Sequence, residues 1–373
     1  MNLKFSRIVY ACAVVMVFWF GVSALHAQCA GSSCSQFEQY SSDFMQQRVN
    51  RSVTSDPTLG QTDRRLNGSA WDPNANSGTP VLLAPAESGV TVNTSISRWS
   101  ADRLNETARK VEEARKLAPG ELKIPKTVTQ QNRKVDIWVS GKFENLDTDA
   151  SSKGYASQLG TDYTITPNLL VGAMVEMENH KQETAESDAG SALGTSYLAG
   201  PYMAARLGEN LTFDTLLAFG RSEDTVGAAG IAADYETQRS LAKARLKGRW
   251  RKEKWEFSPT VSIAYAREGQ VGEESLVGKK MIFSATPEIS RIIELDDDYV
   301  VTPFVSYRGN LEVSNPASGA SGQDRIHNNS LGSGFGLSKK DDYTLRATTE
   351  IENLVSDGDV NLSGRLELKV PLQ

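Results

Sequence analysis

The chain has 373 residues, of which 39% are hydrophobic and 23% charged, and its formal net charge is −6. This composition excludes both a disordered tail and a helical membrane protein, and the mild acidity gives no reason to expect nucleic acid as a partner. The three histidines have no metal-binding spacing and no Gly-x-Ser-x-Gly motif occurs, so we expect no catalytic residue, no metal and no cofactor.

The first element is a continuously apolar stretch at 8–25, preceded by basic residues and followed by small ones at Ala24 and Ala27. This pattern is typical of a secretory signal peptide, which we place at 1–27, with cleavage at Ala24 or Ala27. The stretch is long for a signal, so an uncleaved membrane anchor is the alternative.

Residues 28–99 are rich in Ser, Asn, Thr, Gly, Asp and Gln, and they show no periodic apolar face. Such a segment buries too little surface to offset its ordering entropy, so we expect it to be largely disordered. An oxidising compartment would favour a disulfide between Cys29 and Cys34. Two free thiols in a mobile tail are the alternative.

Residues 100–118 have the pattern of a helix, with Ser100 as its cap and Pro119 after its end. The helix has one thin apolar stripe and is otherwise charged. At 1.5 Å per residue it would span roughly 27 Å, close to the height of a membrane barrel wall. Residues 119–134 are expected to be a linker.

From 135 to 373 polar and apolar residues alternate, segment after segment. Successive side chains of a strand point to opposite sides, so each segment predicts a strand with one apolar and one polar face. The twelve predicted strands are 135–145, 154–165, 169–182, 194–207, 211–223, 234–250, 255–267, 279–294, 299–313, 328–338, 343–354 and 360–372. Strands six and eight fit this pattern poorly.

The predicted connections alternate in length. Tight polar turns at 166–168, 208–210, 251–254, 295–298 and 339–342 follow the even-numbered strands, whereas longer loops such as 183–193 and 224–233 follow odd-numbered ones. Short periplasmic turns and long outer loops are typical of an outer-membrane barrel. We therefore predict an all-β fold, a twelve-stranded antiparallel transmembrane β-barrel, with the upstream helix inside the pore. A soluble sandwich or lipocalin-like barrel is the alternative, since alternation suits any half-buried sheet.

Aromatic residues lie beside the tight turns, where an interfacial girdle is expected on the periplasmic side. Its predicted members are Tyr163, Trp255, Tyr299 and Tyr343.

The polar face of strand six is basic and is expected to face the lumen. Its members are Arg239, Lys243, Arg245, Lys247 and Arg249. We interpret it as part of a wall whose charges neutralise each other or bind a plug, and a selective ion pathway is the alternative.

Residues 136–373 resemble the translocator barrel domain of autotransporters, through the opening strand 136–143, the strand number, the upstream helix and the terminal Gly364-x-Leu366-x-Leu368-x-Val370. The resemblance implies an outer-membrane barrel of a Gram-negative bacterium with the helix threaded through its pore. It also implies that the barrel-assembly machinery reads the last strand. The residues of that strand are Gly364, Leu366, Leu368, Val370 and Leu372. The chain departs from the family in its short segment 28–99, where a long passenger is usual, and in its non-aromatic last residue.

Three classes of function follow. The first is an autotransporter-type barrel that anchors, translocates or displays a short N-terminal segment at the cell surface. The second is a plugged channel or structural outer-membrane protein without cargo, and the third is an outer-membrane hydrolase that uses His327 and Ser330. We expect outer-membrane lipid and the barrel-assembly machinery as partners, and a monomer.

Overall fold

A computed structural model describes residues 32–54, 62, 65–66, 81–86, 89–95, 107, 110–111, 134–147, 150–184, 190–271, 277–295, 299–314, 325–339, 343–352 and 361–369. The predicted signal peptide, Cys29 and the linker up to 133 lie outside these residues. Across the described ranges, no helix combines the length and the apolar character that crossing a membrane would require.

The elements described over their whole length are one helix and the strands that follow it, and residues 62, 65–66, 107 and 110–111 are also helical. The helix is α1 (Ser32–Thr54). The strands are β1 (Val81–Ala86), β2 (Gly89–Ser95), β3 (Val135–Asp147), β4 (Ala150–Thr166), β5 (Leu169–Thr184), β6 (Ser191–Arg206), β7 (Leu211–Ala228), β8 (Ile231–Gly248), β9 (Trp250–Lys252), β10 (Trp255–Phe257), β11 (Thr260–Gln270), β12 (Val277–Thr286), β13 (Glu288–Arg291), β14 (Ile293–Glu294), β15 (Tyr299–Ser314), β16 (Arg325–Lys339), β17 (Tyr343–Glu352) and β18 (Asn361–Lys369).

All of these strands belong to one antiparallel sheet that follows chain order. Hydrogen-bonded pairs run without a crossover from β1 through β8 to β11, β12 and β15, and on to β18. Residues of β1 lie within 8 Å of residues of β18, Cα to Cα. The sheet therefore curls until its first and last strands are side by side.

The two faces of the sheet differ in the way that the alternation predicts. Large apolar side chains are exposed on the outer face, among them Val175, Tyr197, Leu217, Phe219 and Val305. Charged and polar residues are buried on the inner face. They are Glu176, Glu178 and His180 on β5, Asp214 and Asp224 on β7, Arg239 and Lys243 on β8, and Glu268 on β11. A water-soluble fold has the opposite arrangement, so the outer face is suited to lipid.

The all-β antiparallel fold with an upstream helix is confirmed. Each of the twelve predicted strands has a counterpart, although three of them are broken near the short-turn end. Pro259 and Pro287 lie at two of these breaks, between β10 and β11 and between β12 and β13. Proline cannot donate to the ladder, which explains why predicted strand eight alternates poorly. The number twelve itself is not established, because the hairpin β1–β2 joins the same sheet beside β3.

Segment 28–99 differs from its prediction. It contains α1 and the β1–β2 hairpin, where largely disordered chain was expected. The predicted helix 100–118 lies mostly outside the described residues, although Thr107, Lys110 and Val111 are helical. The helix that packs against the inner face is α1, which the sequence analysis did not identify.

The tight turns at 166–168, 208–210 and 251–254 lie where they were predicted, but some outer loops are shorter than expected. β7 and β8 are joined by Ala229 and Gly230 alone, with φ of 52° and 77°. Positive φ at both positions is the requirement of a type I′ hairpin turn. The predicted loop 224–233 is therefore mostly strand. Beyond Phe219 the outward residues of β7 are polar, so the apolar signal ends before the strand does.

Candidate functional site

The candidate site is the inner face of the sheet together with α1. One side of this helix is buried at a helical spacing, and its members are Phe37, Ser41, Phe44, Met45, Arg48, Val49 and Val53. Residues three or four apart share a helix face, so this set forms one continuous stripe. The stripe contains an arginine and a serine because the surface opposite it is the polar wall of the sheet.

Arg48 is the most deeply buried charge of α1, with 0% of its side chain exposed. It forms an ion pair with Asp224 of β7 and another with Glu268 of β11, whose Oε1 is 3.2 Å from Arg48 Nη1. The Thr237 hydroxyl of β8 lies between the two carboxylates, 3.0 Å from Glu268 Oε1 and 3.4 Å from Asp224 Oδ2, and its single proton can be donated to one of them. Arg48 therefore links the helix to two strands that are separated by β8.

A second group of charges lies next to the first. Arg239 of β8 pairs with Glu178 of β5 at 2.6 Å and with Glu268 at 3.2 Å. Its Nη2 also donates to Ser52 Oγ of α1 at 2.6 Å. Arg51 of α1 is 3.7 Å from the same Glu178. The helix and the wall thus share one continuous ion-pair network.

The charges of this network balance only when α1 is present. Three arginines, Arg48, Arg51 and Arg239, face three carboxylates, those of Glu178, Asp224 and Glu268. The helix supplies two of the arginines, whereas the wall supplies one arginine and all three carboxylates. Burying unpaired charge is costly, so the wall is built to receive a cationic helix.

Aromatic contacts fix the helix beside these charges. Phe44 stacks on His180 of β5, with ring centroids 5.3 Å apart, and Arg51 contacts the His180 ring. Tyr40 donates to the main-chain oxygen of Gln182 at 3.3 Å. Burial, with the nearby Glu183 carboxylate, raises the pKa of Tyr40 to about 12, so its hydroxyl remains a donor at neutral pH.

The helix backbone also approaches the wall closely at Gly278 of β12. A Cβ atom at this position would lie 3.4 Å from main-chain atoms of Met45 and Gln46. Glycine leaves the space in which the helix backbone lies against the strand.

Residues after α1 are held at the other end of the barrel, beside the short turns. Arg65 Nε donates to Asp162 of β4 at 2.9 Å, and its Nη2 donates to Thr164 Oγ1 at 3.3 Å. The main-chain oxygen of Leu66 accepts a hydrogen bond from Arg206 of β6. The described part of the N-terminal segment is therefore anchored at both ends of the inner face.

These contacts give the segment a direction. Phe37, near the start of α1, packs with Val226 and Ala228 at the loop end of β7. Val53, near the end of α1, packs with Leu66 in the cluster that includes Trp138. The chain thus runs from the loop end, through the inner space, to the short-turn end where β3 begins.

Comparison with known proteins agrees with this geometry. Residues 137–272 match the family model described as the autotransporter beta-domain. Over these residues the chain is similar to an autotransporter beta-domain. The match covers β3 to β11, the strands that supply every wall residue of the ion-pair network. The beta-domain family supports an outer-membrane β-barrel with a translocator role in a Gram-negative bacterium, and such domains are generally not enzymes.

Solved structures similar to this chain include three autotransporter barrels. The beta domain of the Bordetella autotransporter BrkA is 16% identical, with 63% of this chain and 95% of that one covered and a TM-score of 0.44. The translocator domain of NalP from Neisseria meningitidis is 11% identical (73% and 96% covered, TM-score 0.39). The transport unit of AIDA-I from Escherichia coli is 14% identical (71% and 97% covered, TM-score 0.39). Similarities this weak say nothing about cargo or ligands. No curated protein matches the chain.

Within the beta-domain, the predicted basic stripe lies on the inner face. Arg239 and Lys243 are buried, and Arg245 pairs with Asp214 of β7 at 2.8 Å. Lys247 has the same parity on β8, whereas Arg249 lies just past the end of that strand and pairs with Glu256 at 2.7 Å. Of the network carboxylates, Glu178 lay on a predicted strand, whereas Asp224 and Glu268 lay just past the predicted strand ends, and the α1 partners were missed.

The other predicted sites are described in part. Tyr163 and Trp255 are exposed on the outer face near the short turns, and Tyr299 is half-buried there. Tyr343 begins β17, and Gly364, Leu366 and Leu368 lie in β18 opposite Thr349, Ala347 and Leu345. Val370 and Leu372 lie outside the described residues. Cys34 is disulfide-bonded, and its pairing with Cys29 stays a prediction because Cys29 is not described.

Proposed function

We propose that this protein is a translocator-type outer-membrane barrel that holds its own N-terminal helix, α1, in the lumen and displays the short stretch between the predicted signal peptide and that helix, residues 28–31, at the cell surface. The observation that supports this most is the ion-pair network, in which the wall carboxylates Glu178, Asp224 and Glu268 are neutralised only with Arg48 and Arg51 of α1. The direction of α1 adds that its N-terminus lies at the loop end.

A specific observation favours a second candidate, a plugged channel that displays nothing. The arginines of α1 are almost fully buried, and breaking such pairs costs about 3 kcal/mol or more each. A helix held this firmly would close the pore permanently. The two candidates differ in whether the residues before α1 reach the outside.

The proposed partners follow from the two faces of the sheet and from its last strand. Outer-membrane lipid covers the exposed apolar side chains, and the barrel-assembly machinery recognises β18 with its continuation through Val370 and Leu372. The protein acts as a monomer. Tyr163, Trp255, Tyr299 and Tyr343 form the periplasmic girdle, because aromatic rings favour the membrane interface.

Protease shaving of intact cells tests the display. An epitope inserted directly before Ser32 should be removed by external protease, because the start of α1 lies at the loop end. A matched epitope in the tight turn at 208–210 should be protected until the outer membrane is opened. An epitope between Ala229 and Gly230 gives the accessible reference. If the epitope before Ser32 is protected while the one at 229–230 is removed, display is wrong and the plugged channel remains.

A further inference from the structure

Two cations face each other on the outer side of the sheet. Arg267 of β11 is directly opposite Lys279 of β12 in the antiparallel register. Arg267 is exposed and Lys279 is half-buried, and both have the parity of the outward-facing Tyr265 and Phe283 on their strands.

This pair lies at the edge of the outer apolar surface that is nearer to the loop end of the sheet. One step below it the register pairs Tyr265 with Met281, and the next outward step pairs Ile263 with Phe283, which is 41% exposed. On the other side of Arg267, the opposite residue on β8 is Ser240. The hydroxyl of Ser240 adds a hydrogen-bond donor to the row.

Several other cations of the wall have partners. Lys280, the residue after Lys279, lies on the inner face and pairs with Glu312 at 2.6 Å. On the outer face near the loop end, Arg221 pairs with Glu236 at 2.9 Å and Lys181 with Glu183 at 2.6 Å. Outward cations near the short turns lie over rings, as Arg291 does over Trp255.

Arg267 and Lys279 are different from these residues. Within the ranges that the structure describes, neither side chain takes part in an ion pair, a hydrogen bond or a ring contact. Like charges directly opposite each other destabilise a pair of strands. An anion held between them would remove this repulsion and would satisfy both cations.

We propose that Arg267 and Lys279 form a binding site for the phosphate group of an anionic lipid in the surrounding leaflet. The guanidinium can donate two parallel hydrogen bonds to phosphate, and the ammonium adds a mobile point charge. The acyl chains of the same lipid would lie along the row of Tyr265, Met281, Ile263 and Phe283. The proposal rests on the apolar outer face lying in lipid but does not depend on display of the N-terminus.

Native mass spectrometry of the detergent-purified full chain, titrated with phosphatidic acid, measures this binding. The double variant Arg267→Gln/Lys279→Gln should bind phosphatidic acid about tenfold more weakly than the natural chain, a loss of about 1.4 kcal/mol. The matched control, Arg221→Gln/Lys181→Gln, removes two outward cations that already have carboxylate partners, and it should bind within twofold of the natural chain. Equal losses in the two double variants would overturn the site.

Two further arms identify the source of the phosphate. The natural chain should bind phosphatidic acid more tightly than phosphatidylcholine, whose choline shields the phosphate, and equal affinity would contradict the proposal. Inorganic phosphate should compete only at far higher concentration, and competition at lipid-like concentration would make this a free-anion site.

Heat-modifiable migration in gels reports whether each variant is folded. If the double variant does not fold, the single variants Arg267→Gln and Lys279→Gln should each show part of the loss of binding, and no loss in either would contradict the proposal. Failure here leaves the shaving result untouched.

Discussion

Arg48 carries a full positive charge although none of its side chain is exposed to water. Its cost of burial is offset by two carboxylates, Asp224 and Glu268, which would themselves be unpaired without it. The Thr237 hydroxyl lies within 3.4 Å of both carboxylates and donates to one of them, which helps to hold the wall side of the contact. The helix therefore docks in a definite rotation and register.

Replacing Arg48 by methionine should loosen α1 without unfolding the sheet. The substitution keeps a flexible, unbranched apolar stem but leaves two buried carboxylates with one arginine fewer, at a cost of about 3 kcal/mol. Hydrogen exchange of the α1 amides in the folded, detergent-solubilised protein should show a free energy of opening lower by this amount. Gln39→Met, on the exposed side of α1, should leave exchange unchanged. Equal protection in the Arg48→Met variant and the natural protein would contradict the role of the ion pairs.

At the scale of elements, the strands could be predicted from sequence and α1 could not. Lipid on one side and a polar interior on the other enforce a period of two, as on β11 with Val261, Ile263 and Tyr265 facing outward. The stripe of α1 faces the polar wall, so Arg48 and Ser41 belong to its buried side. A helix that docks on charges does not show the apolar period that identifies a helix docked on a hydrophobic core.

The same difference explains why other elements were not predicted from the sequence. Extensions of β5 and β7 beyond the lipid-facing band have no apolar side chain on the outward face, so their sequence predicted loops. The hairpin β1–β2 is short, and its sequence carries few signals other than Val, Leu and Thr content. Glu178 and Arg239 lay on predicted strands, whereas Asp224 and Glu268 fell in predicted loops, and which of these residues meet depends on register and on α1.

Deleting residues 32–54 should increase single-channel conductance in a planar bilayer, because α1 fills space along the inner face of β7, β8, β11 and β12. Deleting 100–118, the helix expected from sequence, is the informative comparison, and it should change conductance less. A larger increase from the second deletion would show that α1 is not the main obstruction. Heat-modifiable migration in gels checks that each deleted protein still forms the sheet.

At the scale of the whole molecule, the exposed apolar surface and the buried charges have a common explanation, which is that lipid lies outside the sheet and polar groups lie inside it. The outer side chains avoid water by contacting lipid, and the inner charges are satisfied by each other and by α1. Leu217, within the apolar band of β7, is 46% exposed. Thr225 has the same parity further along the strand but lies beyond the last apolar outward residue, Phe219.

This contrast gives a test of which residues lie in the membrane. Leu217→Arg should lower the free energy of unfolding in lipid vesicles by about 2–4 kcal/mol, whereas Thr225→Arg should cost about 1 kcal/mol or less. Urea titration followed by tryptophan fluorescence measures both values. Equal costs at the two positions would mean that the apolar band is not set against hydrocarbon.

The balance of three arginines against three carboxylates has an electrical consequence for a pore from which α1 has been withdrawn. Withdrawal of α1 takes away two guanidinium groups and leaves a ring of acids near the mouth with a single arginine among them. Such a ring attracts potassium and repels chloride, so current through the emptied barrel would be carried mainly by cations.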